Sequence, residues 1–133
     1  MSQFTLEIVT PDRKFFEGEV EMVIVRGTEG DIGILKNHTP LVTPLSIGKI
    51  RIKQNGEFRE AAIAGGYVGI TKDKTTVITD AAEWPEEIDV KRAEEAKKRA
   101  EQRLKSSKSE IDIVRARIAL RKALNRIEVA KKK

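Results

Sequence analysis

The sequence of 133 residues has no cysteine and only one histidine, one tryptophan and one tyrosine. The missing thiols exclude disulfides and thiolate metal sites, and they fit a reducing cytoplasm. A lone His38 cannot build a histidine metal cluster. No nucleophile–base pair and no Walker motif is in view, so the residues point away from an enzyme. No continuous apolar run nears the roughly 20 residues that cross a bilayer. The start, Met1-Ser2-Gln3-Phe4, lacks a basic stretch followed by an apolar core, which argues against a secretory signal. Neither glycine nor proline occurs from Ile88 onward, and residues 86–133 hold no aromatic side chain.

What is present divides into two textures. The formal net charge is +5. Residues 1–84 carry 10 Lys+Arg against 12 Asp+Glu, a balance of −2, whereas residues 85–133 carry 16 against 9, a balance of +7. A near-neutral front and a basic tail imply two modules, over 1–84 and 85–133, the second suited to an anionic partner.

The front module alternates apolar and polar residues with a period of two. Phe4, Leu6 and Ile8 alternate with Thr5 and Glu7; Val20, Met22 and Ile24 with Glu19 and Glu21; Ile50 and Ile52 with Arg51 and Lys53. Each run predicts a strand with one buried and one wet face. Turn signals separate the runs at Pro11-Asp12, Asn37-His38-Thr39-Pro40, Asn55-Gly56 and Lys72-Asp73. Asn55-Gly56 supplies the positive φ angles of a tight hairpin turn. Gly65-Gly66 lacks the spacing of a phosphate loop and reads as a strand bend. The expected front module is an antiparallel β-sandwich or flattened barrel.

After Pro85 the composition turns to strong helix formers. Ala93, Ala96, Ala100 and Leu104 recur at helical spacing, as do Ile113, Ala116, Leu120, Ala123 and Ile127. Between them lies Lys105-Ser106-Ser107-Lys108-Ser109, and Ser109 with Asp112 resembles a capping box. The pattern predicts helices over about 88–105 and 110–130, folded into an antiparallel two-helix hairpin. The fold class is therefore α+β, a sandwich followed by a hairpin. Facing alanines let the helices approach closely but bury little area, so at roughly 25 cal/mol per Å² the hairpin is marginal and able to open.

Charge adds a second pattern. Arg92 and Arg99 are seven apart and share a face of the first helix; Arg115, Lys122 and Arg126 share a face of the second. Folding about the serine-rich turn sets Arg92 opposite Lys122, Arg99 opposite Arg115 and Asp89 near Arg126. Two of these three pairs are cation against cation, so a compact hairpin gains from an anion between them. Asp89 is then free to accept a hydrogen bond from a base amino group. The same residues also read as solvated helix faces, and Asp89 as a favourable acid in a first helical turn. A nucleic-acid-binding protein with a β-sandwich head is the alternative function, given a sequence pI of about 9.5. Against it, Glu94, Glu95, Glu101 and Glu110 interrupt the basic helices, and there are no aromatics there for stacking on bases.

The segment Gly30-Asp31-Ile32-Gly33-Ile34-Leu35-Lys36-Asn37-His38-Thr39-Pro40-Leu41 resembles the signature loop of the epsilon subunit family of bacterial F-type ATP synthases. Val9-Thr10-Pro11 and Ala64-Gly65-Gly66 match it too, and the resemblance runs through the carboxy-terminal hairpin. It implies a non-catalytic regulatory subunit at the cytoplasmic face of the cell membrane, peripheral to it and not inserted. The head would bind the gamma subunit and the c-ring, with Asp31 and His38 on the interface loop. The tail would extend to the catalytic beta and the alpha subunits and inhibit hydrolysis, with Arg103 and Arg115 as contacts to an acidic surface. No nucleic-acid partner is implied.

Ile88-Asp89-Val90-Lys91-Arg92-Ala93 resembles the nucleotide-binding motif of the Bacillus-like members of that family. The matching positions are Glu83, Ile88, Asp89, Arg92, Ala93, Arg99 and Arg126, with Lys122 where the motif has arginine. Lysine keeps the charge but loses the planar fork that grips phosphate at two points. The implied ligand is ATP, with or without Mg, acting as a regulator; no resident cofactor and no metal site are implied.

Overall fold

The computed structural model describes residues 2–131 and separates into two compact units, one ending at Glu83 and one beginning at Trp84.

The first unit is built of eight strands: β1 (Phe4–Val9), β2 (Lys14–Val20), β3 (Met22–Gly27), β4 (Gly30–Ile34), β5 (Leu41–Gln54), β6 (Glu57–Ile70), β7 (Lys74–Ile78) and β8 (Ala82–Glu83). They pair in the order β2-β1-β7-β6-β5-β3-β4, with β8 added against β6. All pairings are antiparallel except β1 with β7. The core is made by Leu6, Ile8, Val20, Val23, Val25, Ile34, Ile50, Ile52, Val68 and Val77, all fully buried. Each contributes about 1.5–3 kcal/mol of transfer free energy.

One long hairpin joins the two layers. β5 and β6 pair in a single register from Leu41↔Ile70 to Gln54↔Glu57. The turn between them is Asn55-Gly56, with φ of 52° and 79°, the left-handed pair a two-residue hairpin needs. Along β5 the buried side chains are Ile52 and Ile50, then Leu45; along β6 they are Ala61 and Ile63, with the small Ala62 between them, then Val68 and Ile70. The alternation slips by one residue on both strands at the level of Ser46–Gly48 and Gly65-Gly66. Gly65 and Gly66 adopt φ of 79° and 108°. The ribbon therefore turns over, and its two halves serve different layers, as strands do at sandwich corners. The half next to the Asn55-Gly56 turn pairs with β8 and most of β3; the other pairs with β7 and, at Gly27↔Leu45, with the end of β3.

One strand expectation needs correction. Val20, Met22 and Ile24 do not share a buried face. Pairing is interrupted at Glu21, whose N–H donates to the Lys53 carbonyl at 2.8 Å. The break changes the phase, so Val23 and Val25 enter the core while Met22 and Ile24 stay half-buried.

The second unit opens with a 3-10 turn at Pro85–Glu87, followed by α1 (Val90–Ser106) and α2 (Glu110–Ala130). The Trp84 N–H donates to the Glu87 carboxylate at 2.9 Å. Asp89 caps α1 through the Arg92 N–H at 3.1 Å, and Ser109 caps α2 through the Asp112 N–H at 3.1 Å. Such caps satisfy amides that the first helical turn leaves without partners. The buried residues of α1 are Ala93 and Ala100; those of α2 are Ala116, Ala123, Val129 and Ala130.

Candidate functional site: a one-sided basic hairpin

The helix-facing alanines repeat every seven residues, Ala93 and Ala100 on α1 and Ala116, Ala123 and Ala130 on α2. A seven-residue repeat keeps one seam facing its partner. Every one of the first four is preceded by a cation: Arg92-Ala93, Arg99-Ala100, Arg115-Ala116 and Lys122-Ala123. A residue one position before a seam residue is rotated about 100° from it. Because α1 and α2 run in opposite directions, these rotations carry all four cations to the same side of the hairpin. Asp89, four residues before Ala93, and Arg126, three after Ala123, fall near the seam on that side as well.

The opposite side differs. The residues that follow the seam alanines there are Glu94 and Glu101 on α1 and Arg117 and Leu124 on α2. One side thus carries five cations with Asp89, and the other a mixed set. Arg92, Arg99, Arg115 and Lys122 are all exposed, and none takes part in an ion pair among the described residues. Asp89 spends one carboxylate oxygen, Oδ1, on the cap. Its capping role accounts for its position without a ligand, and it leaves Oδ2 open.

The remaining sequence-predicted residues lie elsewhere. Ile88 and Ala93 are buried at 2% and 0% exposure, so their side chains pack. Glu83 belongs to β8 of the first unit. Arg103 and Arg115 flank the inter-helix turn, both exposed. Asp31, expected on the same loop as His38, instead stands within β4, opposite Arg26 of β3, and pairs with Arg26 Nε at 2.5 Å. His38 Nδ1 lies 2.7 Å from the Thr39 carbonyl, and that contact holds the ring in the loop after β4.

Sequence reading missed a second surface. Val9, Ile78, Tyr67 and Pro44 are consecutive cross-strand neighbours on β1, β7, β6 and β5. Ile78 is 59% exposed, Tyr67 58%, and Val42, one row away, 75%. The result is an outward apolar band across four strands, the kind of surface that marks a docking site. Its members are far apart in the chain, and only strand pairing gathers them.

The model of the ATP synthase delta/epsilon chain beta-sandwich domain matches residues 3–85, and that of the long alpha-helix domain matches residues 86–131. The chain belongs to the ATP synthase delta/epsilon family. Within this family, the ATP synthase epsilon chain of Alkaliphilus metalliredigens is 58% identical over 132 residues, covering 99% of this chain and 98% of that one. That of Alkaliphilus oremlandii is 62% identical over 109 residues, 82% and 81% of the two chains. That of Halalkalibacterium halodurans is 47% identical over 131 residues, 98% of each. A chain in the cryo-EM structure of the Euglena gracilis mitochondrial ATP synthase shares the fold, with a TM-score of 0.79 at 24% identity over 91% of this chain and 77% of that one. The family leaves the nucleic-acid alternative without support. Among the described residues no helix is long and apolar enough to cross a membrane.

Proposed function

We propose that this chain is a non-catalytic central-stalk subunit of a bacterial rotary ATP synthase, whose hairpin senses ATP and controls hydrolysis. The observation that carries the ATP reading is the one-sided row of Arg92, Arg99, Arg115 and Lys122, with Arg126 and Asp89 beside it. Like charges held together on a marginal hairpin repel, and a triphosphate among them turns repulsion into attraction. Arginine supplies bidentate contacts to phosphate, lysine a point charge. The Asp89 oxygen left by the cap accepts from an adenine amino group. Any ligand bound only by the closed hairpin stabilises it by RT ln(1 + [L]/Kd), about 1.4 kcal/mol at ten times Kd. That shifts the closed–open balance about tenfold.

Family membership supports the rest of this reading. The head docks on the gamma subunit and the c-ring through the apolar band, Asp31 of β4 and the loop after β4 that carries His38. The complex holds it peripherally at the cytoplasmic face. When ATP is scarce the tail opens and carries Arg103 and Arg115 to an acidic surface of the catalytic beta and alpha subunits. Calorimetric titration of the full chain with ATP, with a distance probe between the two helices, tests the core of this reading. One-to-one binding that shortens the distance supports it. No binding at millimolar ATP, or binding without a change in distance, refutes it.

A further inference from the structure

The head has a cavity of about 140 Å³ at one end of the sandwich. Its walls are the start of β1, the loop after β4 and the turn from β6 to β7. Pockets for drug-sized ligands begin at roughly 300 Å³, so this one has room for a small ion or headgroup and none for a nucleotide. Thr75 lines it and is 2% exposed. The cross-strand neighbours of Thr75 are Leu6 and Ile70, core residues without a polar side-chain atom. Among the described residues the Thr75 hydroxyl makes no hydrogen bond, yet it is not one of the unpaired atoms sealed from solvent, which are Arg51 Nε and Glu60 Oε1. Its small exposed area therefore opens on the cavity. Buried hydroxyls are nearly always paired, so this one is a donor held ready for a ligand.

The mouth carries Lys36, Lys72 and Lys74 against Glu19 and Asp73. Lys74 is engaged by Glu7 at 3.3 Å, and the Glu19 carboxylate accepts the Thr5 hydroxyl. Lys36 and Lys72 form no ion pair among the described residues. The acids do not make a cation site: among the described residues no three His, Asp or Glu side chains come close enough to hold a metal ion. Three ammonium groups against two carboxylates leave one positive charge at the mouth, which attracts a single anionic group. We infer that this end of the head binds one phosphate group, through the Thr75 hydroxyl on the cavity wall and the Lys36 and Lys72 ammonium groups at its mouth. Donors on two walls suit the tetrahedral oxygens of phosphate better than the planar pair of a carboxylate. Inorganic phosphate and a phospholipid headgroup both present that group. The site uses none of the residues proposed for ATP.

The test follows the full chain by nuclear magnetic resonance. His38 lines the cavity and is the only histidine, so its ring signals report occupancy without overlap. Inorganic phosphate, exchanged for chloride at constant ionic strength, should shift the His38 ring and the Thr75 amide saturably. Thr75→Val should weaken that binding about fivefold or more, and Thr75→Ser should restore it. Without phosphate, Thr75→Val should melt no lower than the parent, because it removes an unpaired hydroxyl. Lys36→Gln/Lys72→Gln should weaken binding about tenfold. A second arm uses vesicles of phosphatidylglycerol, with phosphatidylcholine as control. Vesicle binding that falls in Thr75→Val assigns the headgroup; phosphate binding without it assigns the free ion; either upholds the site. Equal shifts in chloride alone, or affinity unchanged in Thr75→Val and in the lysine variant, overturns the inference. Vesicle binding indifferent to Thr75→Val, with no shift by phosphate, overturns it equally.

Discussion

The Asp89 carboxylate accepts the Arg92 backbone N–H at 3.1 Å, so the acid that starts α1 sits one turn from the first cation of the basic row. The cap is one role of this side chain and the proposed contact to ATP would be a second, and two substitutions separate them. Asp89→Asn keeps a capping oxygen and loses the charge; Asp89→Ala loses both. Asp89→Ala should cost the hairpin about 1 kcal/mol and Asp89→Asn much less. Thermal unfolding without nucleotide reads that difference. If Asp89 also accepts from the base, both substitutions weaken ATP binding. Retained affinity in Asp89→Asn would leave only the cap.

Lys122→Arg replaces a point charge with a planar fork on an exposed position of the basic side. ATP affinity should rise, by several-fold, while hairpin stability without ATP stays within about 0.5 kcal/mol. Calorimetry on the pair of proteins decides; equal affinity would show that Lys122 does not touch the phosphates.

Arg103 and Arg115 lie on either side of the inter-helix turn. In the assembled ATP synthase, Arg103→Ala/Arg115→Ala should raise ATP hydrolysis at low ATP. Unchanged hydrolysis with the subunit still bound removes both residues from inhibition. The comparison needs low salt, because exposed charges are screened within about 10 Å at 0.1 M.

Docking of the head should fail when its apolar band is charged. Tyr67→Glu with Ile78→Glu, both at exposed positions, should leave the head folded and abolish co-purification with gamma. Full recovery of the complex would move the interface elsewhere on the head.

Acid should weaken the first unit through Glu7. Its carboxylate bonds Lys14 at 3.0 Å and Lys74 at 3.3 Å, and these ammonium groups hold its pKa below the ordinary carboxylate value. The stability this supplies is present above the unfolded-state pKa and is lost as pH falls through the depressed folded-state value. Glu7→Gln should flatten the acid limb of a stability–pH curve below about pH 5. An unchanged acid limb would place the sensitivity on other groups.

The sequence showed much of this architecture where one physical signal acted alone. Ile50 and Ile52 alternate within an uninterrupted strand, so their burial was legible, and so was the Asn55-Gly56 turn. The helix limits were close because Ser109 marks the start of α2 and the run without glycine or proline marks α1, although Asp89, read as a residue of the first turn, caps α1 from just outside it. The phase of Val23 and Val25 was hidden because the break at Glu21 uses neither glycine nor proline. It depends on a hydrogen bond to Lys53, more than thirty residues away. The basic side was legible because the cations step with the alanines. The band of Val9, Ile78, Tyr67 and Pro44 was not, because single exposed apolar residues carry no local pattern until strands pair.

The overturned ribbon of β5 and β6 has a mechanical meaning. At its crossing point Gly66 lies so close to β7 that an added Cβ would stand 1.9 Å from the Ile78 carbonyl oxygen. Two covalent strands, and not only side-chain packing, run from one layer into the other. A twist applied at one end of the ribbon reaches the other end through peptide bonds that cannot slip, so the two ends of β5 and β6 move as one piece.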